Sequence, residues 1–302
     1  MAFSQIYLVT LKTNRRVKSS SAFSICTLLI NVFLNAVFIF GLFGLPKLGV
    51  TGVAIATLIA RFAEMVFCLI DWKRSRLVSI RAAAHPGLGR EYLKVTCPAM
   101  GQGFVWGGAM ATLAAIMGHL GPEVVAANSI ASAIQNAATV ASFGLAEGGA
   151  ILLGNLMGKG KLAEAKTDAA ILLRISVGAG VICCILMLLM EGPVVSILNL
   201  NAAALQYFHV MYKMLSVNVI FAAVTYTTLN GIFLSGGDTR FGLYVDGAVM
   251  WGFCVLAGSI AAFVLKLPPL IVFVIVNLDE LIKTPIVMIR YFQYKWLKNI
   301  TK

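Results

Sequence analysis

Crossing the hydrocarbon core of a bilayer takes about 20 helical residues, and eight apolar runs at least that long, or close to it, follow one another along this chain. They cover residues 22–42, 51–70, 95–119, 124–156, 169–190, 207–234, 241–264 and 270–288. Segments this apolar satisfy their backbone groups in lipid as helices, so the expected fold is an all-α polytopic membrane protein. Residues 1–11 are apolar but too short to cross, and they read as the tail of a further helix. Composition points the same way. With 60% hydrophobic and 12% charged residues and a mean hydropathy of +0.90, a water-soluble fold of 302 residues would lack polar surface.

The formal net charge of +12 would suit nucleic acid, but the Lys and Arg residues stand at the ends of the apolar runs with no interleaved aromatics to stack on bases. No nucleic-acid partner is expected, and membrane lipid is. If successive runs alternate direction, the basic segments at 12–18, 73–94, 159–166, 240 and 290–302 all fall on one side. They hold roughly eighteen of the 24 Lys and Arg, whereas Lys47 and Lys266 fall opposite. The C-terminus is therefore expected in the cytoplasm, below the plasma (inner) membrane. The longest polar stretch, 73–94, contains Pro86 and Gly87 and reads as a linker between a block at 1–72 and a block at 95–302. All six cysteines sit inside apolar runs without metal-like spacing. No metal site, disulfide framework or catalytic constellation is expected, and so neither is an enzyme.

Between Leu234 and Thr239 the sequence SGGD is too short for anything but a tight helical hairpin, with Gly236 and Gly237 free to adopt left-handed angles and Asp238 placed to cap the next helix. Along 95–119, Gly103, Gly107, Ala111 and Ala115 recur at steps of four, a stripe that would let another helix approach closely. Gln102 and Trp106 interrupt it. Trp106 reads as a packing aromatic or as a cavity wall. The first half of 124–156 carries Asn128, Ser132, Gln135 and Asn136, whose amides would be costly against lipid. They are expected to face a wet cavity or to bond neighbouring helices. Asn230 joins these cavity candidates.

Several acids lie within apolar runs, where ionisable groups are costly and commonly functional. Arg61 and Glu64, three apart, read as a salt bridge. Asp279 and Glu280 lie near the middle of the last run, and Lys283 can pair with one of them on the same helix face. The other acid has no partner by spacing, and structural pairing and proton or cation coupling are the two readings of these acids. Asp246 is expected either to meet Arg240 or to line a cavity mouth.

A faint internal repeat is also present: Arg16, Pro46 and Trp72–Lys73 recur as Arg240, Pro269 and Lys295–Trp296. Both copies have the same sense across the membrane, which implies two lobes of similar fold. The stretches FGLPKLGVTGVAIATLIAR, GPEVVAANSIASAIQNAATVASFGLAEGGAILLGNLMGKGKLAEA and LNGIFLSGGDTRF resemble the multidrug and toxic compound extrusion (MATE) transporters. That resemblance implies a two-lobe bundle of twelve spans that exports small amphipathic or cationic compounds in exchange for H⁺ or Na⁺, with no other cofactor. It also implies that the chain starts near the end of the fourth span, leaving the first lobe incomplete and the second complete. The aspartate that many members carry on the first span is not in this sequence. Asp238 matches the acid of the family's GDT turn, but no acid stands at or next to Trp106, where some sodium-coupled members carry a glutamate. Asp238 from this comparison, with Asp279 and Glu280 from the last apolar run, make up the ion-coupling candidates. The chain alone is expected to give little coupled export, and a partner subunit could supply the missing N-terminal helices. A lipid-linked oligosaccharide flippase of the same superfamily and a non-transporting membrane scaffold are the alternatives.

Overall fold

The computed structural model describes residues 2–14, 16–44, 47–75, 86–197 and 201–298. The expected bend at Pro46 and residues 76–85 of the basic linker lie outside the described residues. Among the described residues the fold is all helix and turn, in two compact units, Met1–Ala84 and His85–Lys302.

The first unit holds α1 (Ala2–Thr13), α2 (Val17–Phe40) and α3 (Gly49–Ser75). Gly41, in the left-handed region at φ 69°, closes α2 through its N–H to the Val37 carbonyl. Gly52 lets α3 pass close to α2, since a Cβ there would stand 2.6 Å from that of Phe38. Leu8, Leu11 and Cys68 form the core, and the Tyr7 hydroxyl donates to Asp71 Oδ2 at 2.7 Å. Glu64 is buried and accepts from Arg61 at 2.6 Å and from Gln5 at 3.1 Å, so the expected Arg61–Glu64 pair is structural.

The second unit holds α4 (Pro86–His119), α5 (Pro122–Gly158), α6 (Leu162–Ile197), α7 (Ala202–Phe233), α8 (Thr239–Val264), α9 (Pro269–Val276) and α10 (Asp279–Phe292). The central helix is α7, whose Phe208, Met211, Tyr212, Leu215 and Val219 are wholly buried. Its N-terminus is capped by Asn201, which accepts from the Ala204 N–H at 2.8 Å. On its flank Ser176 of α6 hydrogen-bonds both the Ala223 carbonyl and the Thr227 hydroxyl, each at 2.7 Å. The outer surface is apolar, with Leu152, Ile182, Leu189 and Val264 exposed as a lipid solvent allows.

Six helices among the described residues are long and apolar enough to span a membrane: α2, α3, α5, α6, α7 and α8. The expectation of eight continuous spans changes in two places. Helix α4 is long enough, but its glycines, Gln102 and Trp106 dilute its apolar character. The last run is broken: α9 ends at Val276 and α10 restarts at Asp279. Asn218 of α7 braces the break, donating from Nδ2 to the Asn277 carbonyl at 3.3 Å. Irregular backbone at membrane depth is tolerated where protein buries it or a cavity receives it. Parts of α7 (Thr227–Phe233) and α8 (Gly247–Val255 and Ile260–Val264) are wound as π-helix, a form that often marks functional segments.

The small-residue stripe of α4 does not pack as expected. Gly103, Gly107, Ala111 and Ala115 are exposed, and nothing lies within 4 Å of a Cβ placed on either glycine. Close helix contact is made instead at Gly242 of α8, where a Cβ would stand 2.6 Å from Gln102 Oε1, and at Gly231 of α7, where it would stand 3.1 Å from the Ala146 carbonyl oxygen.

Candidate substrate cavity

Helices α4, α7, α8 and α10, with Phe143 of α5, line a partly open cavity of about 500 Å³ within the second unit. One wall is aromatic. Trp106 faces it, and Tyr226 stacks on Phe143 with ring centroids 4.5 Å apart. Asn230, in the π-wound part of α7, adds an amide, and its neighbour Gly231 brings that segment against α5.

The cavity also carries charge. Lys283 of α10 is 2% exposed, and its Nζ lies 3.1 Å from Asp246 Oδ1, 3.2 Å from Asp279 Oδ2 and 3.5 Å from Glu280 Oε1. Asp246 comes from α8, while Asp279 and Glu280 occupy the first turn of α10. The partial positive charge of a helix N-terminus favours carboxylates there. Gln102 of α4 donates to Asp246 Oδ2 at 2.9 Å, an approach for which Gly242 leaves room. Glu280 Oε2 is buried without a hydrogen-bond partner. Asp246, Glu280 and Lys283 all line the cavity.

The sequence candidates thus separate into groups. Gln102, Trp106, Asn230, Asp238 and Glu280 line one space. Asp279 stands beside it, reached through Lys283. Asn128, Ser132, Gln135 and Asn136 are not on its lining. They precede Phe143, the one α5 residue that reaches the cavity, by 7–15 positions, about 10–22 Å along a helix. The Ser132 hydroxyl instead donates to Asn128 Oδ1 at 3.2 Å.

Asp238 holds the N-cap position of α8, but its side chain makes no capping bond. It takes a two-pronged contact from Arg290 of α10, Nε to Oδ2 at 2.8 Å and Nη2 to Oδ1 at 3.0 Å, and the guanidinium lies over Phe241. The aspartate of the hairpin therefore ties α8 to α10, a correction to its expected role as a cap. Of the two expectations for Asp246, the cavity position is the one found, and its ion-pair partner is Lys283, 37 positions away in the chain, not Arg240 in its own helix. An acid within an apolar run was its signal; the pairing with Lys283 had none.

The sequence profile of the MatE family matches residues 98–264, more than half the chain. The chain belongs to the MatE family. Among curated MatE relatives, a probable multidrug resistance protein NorM of Thermotoga maritima is 23% identical over 231 residues, covering 74% of this chain and 48% of that protein. A probable multidrug resistance protein NorM of Pseudomonas aeruginosa is 30% identical over 172 residues, covering 55% of this chain and 34% of that protein. The MatE chain described here thus spans at most about half the length of these two relatives. In fold it resembles the Vibrio cholerae MATE transporter VcmN, with a TM-score of 0.83 to a crystallised mutant at 15% identity, covering 99% of this chain and 67% of that one. The same transporter in its bent form gives a TM-score of 0.79 at 16% identity. The MatE protein is an integral membrane protein.

Proposed function

We propose that this MatE protein works in efflux as a secondary active transporter, exporting small amphipathic or cationic compounds in exchange for H⁺ or Na⁺. The observation that carries this reading is a single cavity that combines Trp106, Tyr226 and Phe143 with carboxylates that outnumber their one ammonium. Flat or lipophilic cations are held by aromatic faces together with fixed negative charge. Three carboxylates around Lys283 also provide sites where a coupling ion changes the local charge, which a two-state cycle needs if a gradient is to bias it. Glu280, with a buried oxygen lacking a partner, leads the coupling candidates, and Asp279 supports it. Asp238 contributes by bracing the hairpin.

Dye efflux from energised vesicles tests this, with the chain reconstituted alone, where the family resemblance implies little coupled export, and together with the N-terminal helices of a longer relative, where the following substitutions are read. Glu280→Gln should lower gradient-driven export of a cationic dye about tenfold or more, in line with losing about 1.4 kcal/mol or more of coupling, whereas Asp238→Asn should act mainly through stability. Undiminished export by Glu280→Gln would sink the assignment. A lipid-linked oligosaccharide flippase is disfavoured by charge, because among the described lining residues only Lys283 is cationic, against Asp238, Asp246 and Glu280. Such a cavity repels a pyrophosphate. Absence of export of any cationic dye from both preparations would favour the scaffold alternative.

The same reading includes topology. Reporter fusions after Gly89 and after Lys302 should both give cytoplasmic signals, following the basic segments. A periplasmic signal at either site would overturn the assignment of sides.

A further inference from the structure

Lys283 sits where the cationic group of a cavity ligand would find its carboxylates. An ammonium has three N–H donors, and here three carboxylate oxygens surround it at 3.1, 3.2 and 3.5 Å. Two of those carboxylates, Asp246 and Glu280, also line the cavity, and Asp279 does not. Lys283 is thus held from behind by Asp279 while covering the two acids that an entering molecule would meet. The remaining oxygen of Asp246 is taken by Gln102, and the remaining oxygen of Glu280 is buried with no partner. With every group ionised, the cluster carries an excess of two negative charges. Buried charge of that kind calls for compensation.

We propose that Lys283 is a tethered competitor cation: its ammonium occupies the carboxylates that would bind a cationic ligand, and so sets how strongly the cavity holds one. The proposal rests on reading the cavity as the substrate site. An arriving monocation either settles at Glu280 Oε2 against the repulsion of Lys283 or displaces the ammonium, which a flexible four-carbon stem permits. Both routes lower affinity. Weak holding suits an exporter, which must release what it binds. Lys283 is in this sense a specificity-determining residue, because a neutral ligand of similar shape does not compete with it.

Equilibrium dialysis on the purified full chain in nanodiscs tests this, with tetraphenylphosphonium as the cationic probe and triphenylphosphine oxide as the neutral one. Lys283→Gln should bind the cation about tenfold or more tightly than the unmodified protein. Lys283→Arg should stay near the original affinity, and the neutral probe should not respond. Since Lys283→Gln alone leaves the acids uncompensated and is open to misfolding, the decisive variant is Asp279→Asn with Lys283→Gln. It keeps the same formal excess of negative charge while vacating the ammonium position. Tighter cation binding by that double variant supports the proposal. Equal or weaker cation binding, or an equal gain for the neutral probe, refutes it while leaving the substrate-site reading intact. If neither probe binds the unmodified protein or any variant, the reading of the cavity fails and the proposal fails with it.

Discussion

Truncating Trp296 to alanine should destabilise the second unit by about 3–5 kcal/mol, the range for removing a large buried aromatic. Trp296 is wholly buried, stacks on Tyr291 with ring centroids 5.8 Å apart, and donates from its indole N–H to the Tyr291 carbonyl at 3.1 Å. Its backbone lies against the hairpin between α7 and α8: a Cβ on Gly236 would overlap the Trp296 carbonyl. Gly237, at φ 71°, makes the turn, and the Asp238 N–H closes it onto the Phe233 carbonyl at 2.9 Å. Gly236→Ala should therefore also destabilise, by forcing the segment after α10 away from the hairpin. Because both substitutions break one contact, their effects should be less than additive. Thermal unfolding in detergent, followed by size-exclusion chromatography, measures all three variants. A loss below about 1 kcal/mol for Trp296→Ala would show that the segment after α10 is not part of the folded unit.

Lys283→Gln alone should cost about 3–5 kcal/mol, the penalty for breaking a buried ion pair by removing one partner. Asp246, Asp279 and Glu280 are 4–5% exposed and would be left facing one another without their cation. Adding Asp279→Asn removes one of the three carboxylates and should recover more than half of the loss, since residues in one network couple strongly. The same unfolding measurement decides it. If the double variant is no more stable than Lys283→Gln, the acids and Lys283 are not an electrostatically coupled network and Lys283 contributes through packing alone. Because stability and probe binding are read separately, a destabilised variant that binds the cation more tightly remains informative.

The helical membrane character followed from the sequence because it depends on local quantities: apolar length, the backbone's need for internal hydrogen bonds, and where the lysines and arginines stand. The α7–α8 hairpin was equally legible, since two adjacent glycines and a following Thr leave a chain few conformations. The Arg61–Glu64 pair and the contact of one acid, Asp279 or Glu280, with Lys283 were readable from spacings of three and four on a helix; that both acids meet the one ammonium was not. Function-bearing geometry was another matter. Which face of α5 meets the cavity depends on how α5 packs on α7, and it is Phe143, not the amides at 128–136, that reaches the space. Asp238 read as a helix cap because its nearest backbone donors are local, yet Arg290, 52 positions later, offers a charged two-pronged contact that wins. The break at Asn277 is held by Asn218 from another helix, and Asp246 reaches Lys283 only because α8 and α10 pack side by side. Periodicity along one helix has no term for such pairings. They are set by the packing of helices distant in sequence, where buried polar groups take the strongest partner within reach.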